Sequence, residues 1–172
     1  MLEEKAIILT SDDKIQCATY IDGGTLYELI DGFPEDCGSQ IIPVFPEMTE
    51  GRKELEVNIY CNSEYVLSNS DKYDKINAVA SLIAEREIRG EAVLLVNESA
   101  GEKRGFLSEE NDNPEEEHIS ELWAVRNVLE GFINLNRKMI YECHKQFDGE
   151  KSLDTTEFLQ TKTMLLNHQG VS

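Results

Sequence analysis

The stretch Glu54-Leu55-Glu56-Val57-Asn58-Ile59-Tyr60 decides how this 172-residue chain is read. Leu55, Val57 and Ile59 alternate with Glu54, Glu56, Asn58 and Tyr60. That period of two puts one face of a strand on a core and the other toward water. Downstream, Ile76, Val79, Ala80 and Ile83 recur at helical spacing, capped by Ser70 or Asp71 and ending before Gly90. Ala92 to Val96 is a short, unbroken apolar run, as the middle of a sheet requires. Upstream, Ala6 to Leu9 reads as a buried strand. After a turn at Ser11 to Lys14, Ile15, Cys17, Thr19 and Ile21 alternate, so the first two strands form a hairpin. Thr25 and Glu28 have the spacing of a capping box at the head of a short helix, which Gly32 and Pro34 end. Gln40 to Phe45 is a further strand, and its Pro43 belongs at an edge or a bulge. The fold class is α+β: a small mixed β-sheet of about five strands with two helices over residues 1–97.

Beyond that domain the character changes. Residues 98–117 carry eight acids against two bases, with Pro114 among them, and read as an acidic linker. Residues 118–172 read as a C-terminal helical hairpin. Leu122, Val125, Leu129, Phe132, Asn136, Met139 and Cys143 follow alternating spacings of three and four, the repeat of a helix seam with one polar member. One helix from about Ile119 to Gln146 would run roughly 40 Å. Its seam either packs on the chain's own core or pairs with a second copy, Asn136 then fixing the register of a homodimer. Asp154 and Glu157 form a second capping box before a shorter helix with Phe158, Leu159, Leu165 and Leu166.

Charge narrows the function classes. The 34 Asp and Glu outnumber the 16 Lys and Arg, for a net charge of −18. Direct binding to nucleic acid needs clustered cations that displace counterions, and adsorption to an anionic membrane needs the same sign. Neither fits; a basic protein partner does. The acidic patch of Glu109, Glu110, Asp112, Glu115, Glu116 and Glu117 is the candidate partner-binding site. The N-terminus lacks a basic leader, and no run of eighteen apolar residues occurs. Cys17, Cys37, Cys61 and Cys143 lie far apart, as expected for a cytoplasmic protein whose thiols serve as small core groups.

Reactive groupings are sparse. Cys143 and His144 adjoin, but neighbours on a helix point about 100° apart, which leaves Cys143 in the seam and His144 in solvent. Glu115-Glu116-Glu117-His118 suits the positive end of a helix better than a metal. Asp22-Gly23-Gly24-Thr25 lacks the lysine of a phosphate loop and holds a repelling carboxylate. No catalytic residue, metal site or cofactor is expected.

Val57 to Glu64, then Asn77 to Leu82, then Ile88 to Val93 together resemble a small domain family of unassigned function. That family occurs among accessory proteins of phages, plasmids and integrated elements. Asn77, Ala80 and Ser81 match its helix motif, with Ser81 for threonine and Ile76 where the family has proline; Gly90 matches its glycine. The likeness covers about residues 5–97 and brings no catalytic residues. It implies a mobile-element context. With the acidity, it leads to an expected non-enzymatic inhibitor that mimics DNA. Such a protein binds a basic nucleic-acid-handling defence enzyme of the host, a CRISPR nuclease or a restriction enzyme. The alternative is an oligomeric adaptor or regulator working through its long C-terminal helix. Asn62, Glu64 and Asn77 read as structural, serving a turn and a helix start.

Overall fold

Ala92-Val93-Leu94-Leu95-Val96 lies at the centre of a five-stranded sheet. The computed structural model describes residues 4–21, 23–30, 39–46, 55–67, 69–98, 114–152 and 155–168. Its strands are β1 (Glu4–Leu9), β2 (Ile15–Ile21), β3 (Ser39–Pro43), β4 (Leu55–Asn62) and β5 (Ala92–Glu98), in the order β2-β1-β5-β4-β3. Every neighbouring pair is antiparallel, so the sheet is not mixed. Burial on both faces explains the unbroken apolar run of β5. Ala92, Leu94 and Val96 enter the larger core, while Val93 and Leu95 meet a smaller one on the opposite face. The first two strands form the expected hairpin, and Pro43 sits on an edge strand, where its missing N–H costs no ladder bond.

Helix α1 (Gly23–Ile30) covers the smaller core with Leu26 and Ile30. It begins ahead of Thr25, which is therefore not the residue preceding the helix. Helix α2 (Ala78–Ala84) starts later than its apolar spacing implies, because Asn77 caps it: the Ala80 N–H donates to Asn77 Oδ1 at 3.2 Å. Ser70 caps a single 3₁₀ turn, Asp71–Tyr73, instead. The long C-terminal helix is two, α3 (Pro114–Leu135) and α4 (Arg137–Phe147). Asn136 separates them with φ −114° and ψ 21°. Its side-chain amide donates to the Phe132 carbonyl at 2.9 Å, competing with the backbone for the i−4 acceptor. Helix α5 (Thr155–His168) completes the chain, and Phe158 packs on Phe147 with ring centroids 5.7 Å apart. Asp154 lies outside the described residues.

Helices α2 to α5 share the larger core with the sheet. Leu122, Val125, Leu129, Met139 and Cys143 are buried there, so α3 and α4 pack into the same core as the sheet. Of the acidic segment, Glu98 belongs to β5 and Pro114 to Glu117 to α3, while 99–113 lie outside the described residues. Among the described residues no helix is long and apolar enough to cross a membrane.

Candidate functional site

Glu115, Glu116 and Glu117 occupy the first turn of α3, near the partial positive charge of its dipole. Glu109, Glu110 and Asp112 lie outside the described residues. The seam is used inside the chain: Leu122, Val125, Leu129 and Met139 are buried, and Phe132 packs against the same core. Those apolar members are thus covered by the chain itself, and Asn136 interrupts the helix between α3 and α4. A charge placed at Leu129 tests folding instead of assembly.

Cys143 is buried and its thiol is pushed up to about 12 by burial, which keeps it protonated and inert. His144 is not left to solvent. Its Nε2 lies 3.0 Å from both Asp13 oxygens, and Nδ1 lies 3.4 Å from Asp148 Oδ1. Hydrogen bonding to Asp13, with the charges of Asp13 and Asp148, raises its pKa against partial desolvation. Both ring nitrogens meet carboxylates, which suits the doubly protonated imidazolium. This contact ties α4 to the β1–β2 turn, where Asp13 takes a positive φ of 63°.

A buried polar junction joins the C-terminal segment to the sheet domain. Arg89 is fully buried. Its Nη1 donates to the carbonyls of Tyr73 at 3.2 Å and Asp74 at 2.9 Å, and its Nη2 donates to those of Phe147 and Glu150. Nε lies 3.3 Å from Glu87 Oε2, close enough for an ion pair but off the line of a hydrogen bond. Glu87 Oε2 also accepts from the Ser152 N–H at 2.9 Å and lies 2.6 Å from the Tyr65 hydroxyl. Burial, then Glu87, pushes the Tyr65 phenol up, so it stays protonated. Gly90 adjoins this junction at φ 77°, and an added Cβ would sit 2.6 Å from the Tyr73 ring. The sequence carried a signal for this pair. Glu87 and Arg89 stand two apart in the segment between α2 and β5, and their charged groups meet.

Beside the junction opens a polar cavity of about 230 Å³. Gln40 of β3 and Cys61 and Asn62 of β4 contribute one side, with Ser63 and Tyr65 just beyond. Arg86, Glu87 and Thr155, the first residue of α5, contribute the other. Its rim is preset. Asn62 Oδ1 accepts the Glu64 N–H at 2.7 Å, an Asx turn, so Asn62 does serve a turn and Asn77 a helix start. Arg86 follows Glu85, which ends α2 at a left-handed φ of 58°. The Arg86 N–H donates to the Ser81 carbonyl at 3.2 Å, and Ser81 Oγ accepts the Ile88 N–H at 2.7 Å. Cys61 is pushed up to about 12 by burial, an effect the Arg86 charge only partly offsets. The cavity thus combines a neutral thiol, amides, hydroxyls and a guanidinium. Among the described residues no group of three or more His, Cys, Asp or Glu side chains could hold a metal ion.

No protein-family model matches the chain, and no curated protein matches it. A solved structure described as the crystal structure of small RNA methyltransferase HEN1 is similar over 54% of this chain, at 22% identity and a TM-score of 0.39. The match spans 13% of that protein's chain. A likeness that slight supports no statement about fold or activity.

Proposed function

We propose that this protein acts by occupying the basic groove of a nucleic-acid-handling protein, as an acidic inhibitor rather than as a catalyst. The observation that supports this reading is how its acid is mounted. Glu115, Glu116, Glu117 and Glu121 fall in the first two turns of α3, and the helix has no Lys or Arg before Arg126. Leu122, Val125 and Leu129 anchor the same helix in the core. Acid on an anchored helix meets its partner with less conformational entropy to lose than acid on a free tail. Elsewhere Lys75, Lys151, Lys162 and Arg126 each lie within 4 Å of a carboxylate, so these cations do not act as free counterweights. The mobile-element likeness of residues 5–97 points to a host defence enzyme as the target.

Capture of a CRISPR nuclease or a restriction enzyme from host lysate, at low and high salt, tests the reading. Binding that falls steeply with salt, and at least about tenfold on combined Glu115→Lys, Glu116→Lys and Glu117→Lys substitution, is the expected result. Tight association of the isolated chain with DNA or RNA would sink it.

The adaptor reading rests on a different observation. Trp123, Val128 and Leu135 are exposed on α3, Leu135 at 84%. A partner held at high salt and released by Leu135→Asp would favour that reading over the inhibitor.

A further inference from the structure

Arg86 and Arg89 are three residues apart and equally charged, yet only Arg89 has its terminal nitrogens and its charge met by the described residues. Both Arg89 Nη atoms donate to carbonyls and its charge faces Glu87. The Arg86 guanidinium makes no hydrogen bond or ion pair with the described residues, and its Nε is shut off from solvent. A guanidinium carries five donors, and leaving the buried one, Nε, unmet is unfavourable. Arg86 lines the cavity, so the space its donors can address is defined.

We propose that this cavity is a binding site for a small monocarboxylate, held by the Arg86 guanidinium. Three features select that chemistry. The planar fork of a guanidinium matches the two oxygens of a carboxylate. Gln40, Ser63 and Thr155 add amide and hydroxyl groups to the same wall, and Thr155 opens a 14-residue helix whose positive dipole end adjoins the space. Among the described residues Glu87 is the one acid on the wall, and its carboxylate is engaged by Arg89, Tyr65 and Ser152. It therefore leaves the Arg86 charge uncancelled while disfavouring a dianion such as phosphate. The volume lies below the range of drug-sized ligands, so the acid is short. Cys61, kept protonated, offers its carbon chain a neutral contact rather than a nucleophile.

Sodium lactate, sodium acetate and inorganic phosphate, titrated at matched ionic strength into the full chain, test the assignment. Amide NMR shifts and the thermal midpoint are the readouts. Saturable shifts at Cys61, Ser63, Arg86 and Thr155 with a carboxylate, and a raised midpoint, are expected. Arg86→Gln should weaken binding at least about tenfold, the loss of one charge-assisted pair. Arg86→Lys, which keeps the charge without the fork, should fall between. Absence of saturable shifts in the wild type overturns the proposal, as does undiminished binding in a folded Arg86→Gln protein. Phosphate binding as tight as carboxylate binding also overturns it.

Discussion

Two arginines from one short loop divide this molecule into a sealed region and an open one. Around Arg89 every strong donor on the terminal nitrogens is met, Glu87 balances the charge, and segments distant in sequence are drawn together. Around Arg86 the polar groups line a cavity. The contrast teaches that burial of a charge identifies its role only when its partners are counted. A satisfied ion in the interior holds structure, whereas an unsatisfied one on a cavity wall is poised for something outside the chain.

The largest expected effect breaks the sealed region. Arg89→Met leaves Glu87 buried without its cation and several carbonyls without donors, and should cost about 3–5 kcal/mol in urea unfolding. Adding Glu87→Gln to that variant should recover part of the loss, because the uncompensated charge goes with it. Next comes Gly90→Ala. Its positive φ and the Tyr73 ring both oppose a Cβ, and about 1–3 kcal/mol should be lost by the same measurement. A loss near zero would mean that Tyr73 moves freely, which would weaken the picture of a sealed junction.

The His144 contact is a smaller term and depends on pH. Its pKa is raised in the folded state by Asp13 and Asp148, so its contribution is fully present below the unfolded value near 6.5. As pH rises through the folded value, the contribution disappears. The stability gap between wild type and His144→Gln, under about 1 kcal/mol for a partly exposed pair, should therefore shrink from mildly acidic to alkaline pH. A gap that widens instead would reverse the sign of the coupling. Smallest is Arg86→Gln, which removes no partner and should shift stability by less than about 0.5 kcal/mol. A large loss there would turn the open region into a second structural knot.

How much of this was legible depended on the range of the interactions. The alternation in Leu55 to Ile59 and the apolar run Ala92 to Val96 located β4 and the central β5, because strand burial repeats every two residues. Asn62 and Asn77 were readable as a turn and a cap, since both act on neighbouring backbone. The 3,4 spacing from Leu122 to Cys143 revealed an apolar stripe, yet the same pattern suits an internal helix and a dimer. Asn136 was legible as the odd member and not as a break between two helices, because its effect lies in one side-chain bond to Phe132. His144 found Asp13 across 131 positions, a pairing no local spacing encodes.

Local pattern by itself determined the α+β class, the central and edge strands, the paired apolar stripe and the surplus of acid. These follow from side-chain periodicity and composition, which are properties of short windows. Tertiary structure alone decided that the sheet is antiparallel throughout and that the seam faces inward. It also decided that both Arg89 Nη atoms are met by carbonyls while Arg86 borders a cavity. Those outcomes depend on which distant carbonyls and carboxylates arrive beside a side chain, and only closure of the whole core brings them there.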